Sequence, residues 1–231
     1  MKDKQNNYPI TLENQPFFGL DLDDEQKIFR DAIWNEKKKI IFCNAKAGTG
    51  KTTIAVGVGH LLVKYGRYKG ISYIVSPTQE QLHGFLPGDV EDKSAPYMEP
   101  LYDALLALNI NPNTAIISSD NIQAVKNGEA YIKCMAHTYL RGTNFDNEVI
   151  VLDESQNFYG DQLKKVLTRI HDNCKVIVIG HSGQVDLYKN PERSGFLKYL
   201  EWFKGDDRTA ICELTINYRG WISSHADDLD I

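Results

Sequence analysis

The chain carries no excess of positive charge: 26 lysines and arginines stand against 31 aspartates and glutamates in 231 residues, a formal net charge of −5. A field that would draw the whole molecule onto nucleic acid is therefore excluded, and any such contact has to be a local patch. Cysteine is scarce. The four present, Cys43, Cys134, Cys174 and Cys212, form no Cys-x-x-Cys pair and read as reduced core residues, which leaves no zinc ribbon and no disulfide framework. The histidines at 60, 83, 137, 171 and 225 share no metal-ligand spacing and read as surface or turn residues. No apolar run approaches the roughly 20 residues that cross a bilayer, and Met1 to Asn7 lack an apolar signal region, so a cytoplasmic, soluble protein without a membrane partner is expected. Internal repeats and low-complexity tracts are missing as well. What remains is ordinary globular material, 42% hydrophobic and 25% charged, enough for one large α/β domain or two small ones.

Against that background Ala45-Lys46-Ala47-Gly48-Thr49-Gly50-Lys51-Thr52 stands out. The apolar run from Lys39 to Asn44 before it reads as a buried strand, and Thr53 to Val58 after it opens a helix, the setting a phosphate-binding loop needs. Gly48 and Gly50 let the backbone curl so that consecutive N–H groups face one centre, where the helix N-terminus adds partial positive charge. Such a nest suits a polyphosphate, with residues 45 to 53 as its lining. Lys51 would reach the β and γ phosphates, and the Thr52 hydroxyl would join the coordination shell of a magnesium ion. Ala45 stands where the first glycine is usual.

Residues 1–20 are polar with Pro9, Pro16 and Gly19 and predict an irregular arm. Apolar positions 22, 28, 29, 32 and 33 recur at helical spacing behind acids in the first turn, which predicts a helix from Leu22 to Trp34. Further strands are expected at Ile71 to Val75, Ala115 to Ser118, Tyr131 to Cys134, Val149 to Leu152, Val176 to Ile179 and Ala210 to Leu214. Helix-length segments between strands imply crossover connections and a mainly parallel sheet flanked by helices, the α/β class.

Val149 to Leu152 ends in Asp153-Glu154-Ser155-Gln156. A buried strand ending in two acids places both at the carboxyl edge of the sheet, where open α/β folds bind ligands. Asp153 can hold magnesium through water and Glu154 can polarise an attacking water; the same pair alone also serves as a helix N-cap. Val176 to Ile179 ends in Gly180-His181-Ser182-Gly183-Gln184. Gln184 is a candidate sensor of the γ-phosphate, or a surface turn residue, and His181 is weaker still. Gln26, at the start of the helix before the first strand, could meet the N6 and N7 edge of adenine with one donor and one acceptor, or be a solvated helix residue. Arg141, Arg169 and Arg219 are candidates for stabilising transition-state charge, and the sequence places none of them.

These blocks resemble the PhoH family of ATPases, related to the motor domain of superfamily 1 helicases. The resemblance covers roughly residues 20 to 220 and is most specific in Gly84-Phe85-Leu86-Pro87-Gly88-Asp89 and the stretch from Pro96 to Leu105, with Tyr139 to Thr143, Asp153 to Gln156 and Leu167 to Arg169 as later blocks. It implies a RecA-like P-loop NTPase fold over 21–231, ATP and Mg2+ as ligands, hydrolysis, RNA or single-stranded DNA as partner, and a homo-oligomer, a hexamer by the family pattern. Three positions depart from the pattern. Ala45-Lys46 replaces Gly-Pro, His181 replaces Asp, and Asn217-Tyr218-Arg219 looks like the block that opens a second motor domain. Two other functions are compatible with the motifs: a nucleotide-gated binding module with slow turnover, and a P-loop kinase of a small metabolite.

Overall fold

The computed structural model describes residues 8–13, 17–76, 98–140, 142–187 and 191–227. Six strands, β1 (Ile40–Ala45), β2 (Ile71–Val75), β3 (Ile132–Ala136), β4 (Val149–Asp153), β5 (Lys175–Gly180) and β6 (Thr209–Leu214), form one sheet in the order β3-β2-β4-β5-β1-β6. Every pairing is parallel. The helices described are α1 (Asp24–Trp34), α2 (Lys51–Lys64), α3 (Glu99–Ala107), α4 (Pro112–Ala115), α5 (Ile122–Asn127), α6 (Gly160–Leu167), α7 (Phe196–Phe203) and α8 (Trp221–Asp227). The α/β class expected from the sequence, a parallel sheet flanked by helices, is what the structure shows. The strand that leads into the phosphate loop and the strand that carries the acids are separated by β5.

The central strands are apolar throughout because both faces are covered. Side-chain alternation splits them between two cores. Ile41, Cys43, Tyr73, Val151 and Ile177 point to the face covered by α1, α2 and α3. Phe42, Ile74, Ile150, Leu152 and Val178 point to the face covered by α6 and α7. The segment before α1 joins the first core through Leu12 and Phe17, both buried. Phe17 sits so close to α2 that a Cβ on Gly57 would lie 2.7 Å from its ring.

One expected strand is not formed. Asn111 caps a single helical turn that starts at Pro112 and runs to Ala115, its side chain accepting from the Asn113 N–H at 3.0 Å. Beyond it, among the described residues, the chain pairs with β3 through an isolated bridge between Ile116 and Ile132 and forms no strand. The apolar run there is too short to extend the ladder once its first residue closes a helix. His60, expected at the surface, is half-buried on α2, hydrogen-bonds to the Tyr131 hydroxyl, and is held down to about 4 chiefly by burial. At the opposite end of β5 Lys175 is fully enclosed. Its ammonium donates to the carbonyls of Asn35 and Lys38, and burial lowers its pKa to about 7. Because all six strands run the same way, Ala45, Val75, Ala136, Asp153, Gly180 and Leu214 end at one edge, where the candidate site lies.

Candidate nucleotide-binding site

Ala45 ends β1 beside Leu214 of β6, and the next residue is tied to the same neighbour, Lys46 N–H donating to the Leu214 carbonyl at 3.0 Å. Gly48 (φ 70°) and Gly50 (φ 77°) take left-handed backbone conformations that a side chain would strain. Between them Thr49 is buried and its hydroxyl donates to the Lys46 carbonyl at 3.1 Å, which closes the loop on itself. Gly50 caps α2 without a side-chain hydrogen bond. The first-turn N–H groups of α2, including those of Lys51, Thr52 and Thr53, are thus available to an anion.

At the carboxyl end of β4 Asp153 is fully enclosed, and its Oδ2 accepts from the Thr52 hydroxyl at 2.8 Å and from the Tyr73 hydroxyl at 2.6 Å. Its Oδ1 accepts from the Glu154 N–H at 2.8 Å. Burial raises the Asp153 carboxyl, the Glu154 charge raises it further, and Lys51 with the two hydroxyls pulls it back. Burial and Asp153 likewise hold the Tyr73 phenol well above its usual range. Lys51 Nζ stands 3.7 Å from Oε1 of Glu154, which is partly open to solvent. Glu154 itself sits at φ 49°, ψ 42°, left-handed backbone for a non-glycine residue. The donor set, a threonine hydroxyl beside a carboxylate next to a phosphate loop, fits a magnesium ion that keeps most of its waters and takes few protein ligands. Among the described residues no cluster of three or more His, Cys, Asp or Glu forms a separate metal cage.

Gln156, buried, joins the acid to the turn after β5. Its Nε2 donates to Oε2 of Glu154 at 2.6 Å and its Oε1 accepts from the His181 N–H at 3.0 Å. The next N–H, that of Ser182, donates to Asn44 Oδ1 at 3.0 Å, which ties this turn to β1. His181 Nδ1 is buried without a hydrogen-bond partner among the described residues. Gln184 lies exposed in the same turn, its N–H on the His181 carbonyl.

Gln26 is buried against the loop. Its Nε2 donates to the Thr49 carbonyl at 2.9 Å while its Oε1 accepts from the Asp23 N–H at 3.1 Å, so both halves of the amide are engaged in holding the loop and capping α1. The chain leaving β6 crosses the loop as well. Tyr218 N–H donates to the Gly48 carbonyl at 2.9 Å. A Cβ on Gly48 would meet Asn217 Oδ1 at 2.5 Å and the Arg219 Cγ at 2.9 Å. Of the two candidate arginines that lie among the described residues, Arg219 is therefore the one brought onto the phosphate loop. Arg169 is not: it follows α6, and its guanidinium donates to the carbonyls of Leu140 and Lys165. Arg141 and the stretch from Gly84 to Asp89 lie outside the described residues. Sequence reasoning passed over Gln156 and Tyr73 as site residues. The signal for Gln156 was its place two residues after the acid; a phenol beside Ser72 in an otherwise apolar strand was the sign for Tyr73.

The chain is similar to known proteins over most of its length. The chain is 34% identical to a PhoH-like protein of Bacillus subtilis over 181 residues, 78% of this chain and 53% of that protein. It is 33% identical to protein PhoH of Escherichia coli K12 over 202 residues, 79% of this chain and 53% of that one. The chain thus spans about half the length of the curated relatives it matches. Among solved structures, the Pif1 helicase from Candida albicans superposes with a TM-score of 0.42 at 16% identity, covering 87% of this chain and 41% of the helicase. The model of the PhoH-like protein family matches residues 21–218, which takes in all six strands of the sheet, and the chain belongs to that family.

Proposed function

We propose that this chain binds ATP with magnesium and hydrolyses it, as a helicase-like module acting on RNA or single-stranded nucleic acid. The observation that carries the reading is the meeting of Thr52, Asp153, Glu154 and Lys51, brought from opposite sides of β5 to one place. The N–H groups of the loop and of the first turn of α2 would cradle the phosphates, and Lys51 would neutralise the terminal ones. Thr52 and Asp153 would hold the magnesium ion, which when bound supplies charge neutralisation at the β and γ oxygens. Glu154 is in place to accept a proton from an attacking water, and the Gln156 amide fixes the direction its carboxylate faces. Lys51 and Glu154 stand 3.7 Å apart, so a phosphate that draws the ammonium away would leave the carboxylate to act as a base.

The test is phosphate release by the wild type and by Glu154→Gln, with no polymer, with RNA and with single-stranded DNA. Wild-type turnover stimulated by one polymer is expected. Glu154→Gln should retain ATP affinity and lose turnover by about 10²-fold or more, the scale of a general base. Undiminished hydrolysis in that variant would remove Glu154 from the reaction.

A further inference from the structure

Three side chains at the start of α1 grip the two segments that meet over the phosphate loop. Gln26 holds the Thr49 carbonyl. Asp23 accepts from the Tyr218 hydroxyl at 2.5 Å. Glu25 accepts twice from a single residue, the N–H of Thr215 at 2.7 Å and its hydroxyl at 2.8 Å. Residues 215–220 are irregular and mostly exposed. Among the described residues no packed core places them; these hydrogen bonds, the one from Tyr218 N–H to Gly48 and the one from Asn217 Nδ2 to Ser223 Oγ do so. Thr215 is the first residue after β6, and fixing it fixes the direction in which the chain leaves the edge strand. Four residues on, the Arg219 side chain rests against Gly48.

A carboxylate beside a polyanion site is costly unless its charge is occupied elsewhere. The Glu25 oxygens are turned to Thr215, and the first turn of α1 favours a negative charge there. Charge-assisted bonds of this kind are roughly twice as strong as neutral ones. That is enough to hold an exposed strap that would otherwise sample many directions.

We propose that Glu25 is a positioning residue whose carboxylate pins Thr215 and thereby delivers Arg219, from the same chain, to the terminal phosphates of the bound nucleotide. The delivery rests on the reading of the loop as an ATP site; the pinning does not. Two measurements separate them. The first is amide hydrogen exchange on the nucleotide-free protein. Glu25→Ala should deprotect the Thr215 and Tyr218 amides, and Glu25→Gln, which keeps an acceptor oxygen, should restore part of the protection. The second is steady-state hydrolysis. Arg219→Ala should lower kcat by about 10³-fold, and Glu25→Ala by about tenfold or more with KM for ATP little changed, because the freed strap still visits the loop part of the time. The double variant should be no slower than Arg219→Ala alone, and Glu25→Gln should recover most of the rate. Unchanged exchange at both amides, or losses that multiply in the double variant, overturns the proposal. A wild type that releases no phosphate under any condition removes the proposed function and the delivery of Arg219 with it; the exchange measurement then still decides whether Glu25 holds the strap.

Discussion

Asp153 shows how much one enclosed carboxylate needs around it. Both oxygens are engaged, by two hydroxyls and a backbone N–H, because an unpaired buried charge would cost several kcal/mol. Gln156 plays the corresponding part for Glu154, and it does so with its whole amide: one end on the acid, the other on the backbone of the turn after β5. Gln156→Leu keeps the volume and removes both bonds, leaving the His181 N–H without its acceptor. The expected loss is about 1–3 kcal/mol of stability, read from the urea midpoint, the scale of one orphaned buried donor. A fall in kcat with little change in ATP affinity should accompany it, since the amide touches the acid and not the phosphate loop. A variant that loses stability but turns over normally would show that the acid needs no such guide.

The elements most legible in the sequence are those in which local pattern and burial agree. β4 and β5 are short apolar runs covered on both faces, and the phosphate loop is encoded in eight consecutive residues. The stretch from Ala115 to Ser118 misled because three apolar residues satisfy a strand pattern, while Asn111 and Pro112 just before them satisfy a helix start, and the cap decides the first of the three. The contacts of residues 215–219 with α1 were illegible for another reason: the partners lie about 190 positions apart, and no periodicity links them. The same is true of the segment before α1, which reads as an irregular arm and is irregular where described, yet places Leu12 and Phe17 in the core. Phe17→Ala should therefore cost about 3–5 kcal/mol, as for other buried aromatics. Thermal or urea unfolding will measure it, and a change within experimental error would mean that the arm is peripheral after all.

At the scale of the molecule, the parallel sheet separates two kinds of burial. Its carboxyl edge collects acids and loops, whereas its amino edge encloses Lys175 between the carbonyls that follow α1. Enclosure lowers that lysine to about 7, so above this pH the folded chain has released a proton that the unfolded chain still holds, and stability rises with pH. The four thiols, three buried and Cys134 half-buried, act in the opposite sense, since burial raises all of them and the unfolded chain ionises first. With unfolded thiols ionising at about 8.5, stability should climb from about pH 7 and turn downward as the pH passes through the thiol range. Urea midpoints across that range should show the climb in the wild type and only the fall in Lys175→Met; a climb that survives the substitution would assign it to another group. The left-handed backbone of Glu154 bears on the molecule in a different way. For a residue with a Cβ that conformation costs on the order of 1 kcal/mol or more, and glycine would relieve it. A selection for heat resistance alone would thus favour glycine at the position proposed to carry the base. Hardier descendants of this chain would be recognised by their silence towards ATP.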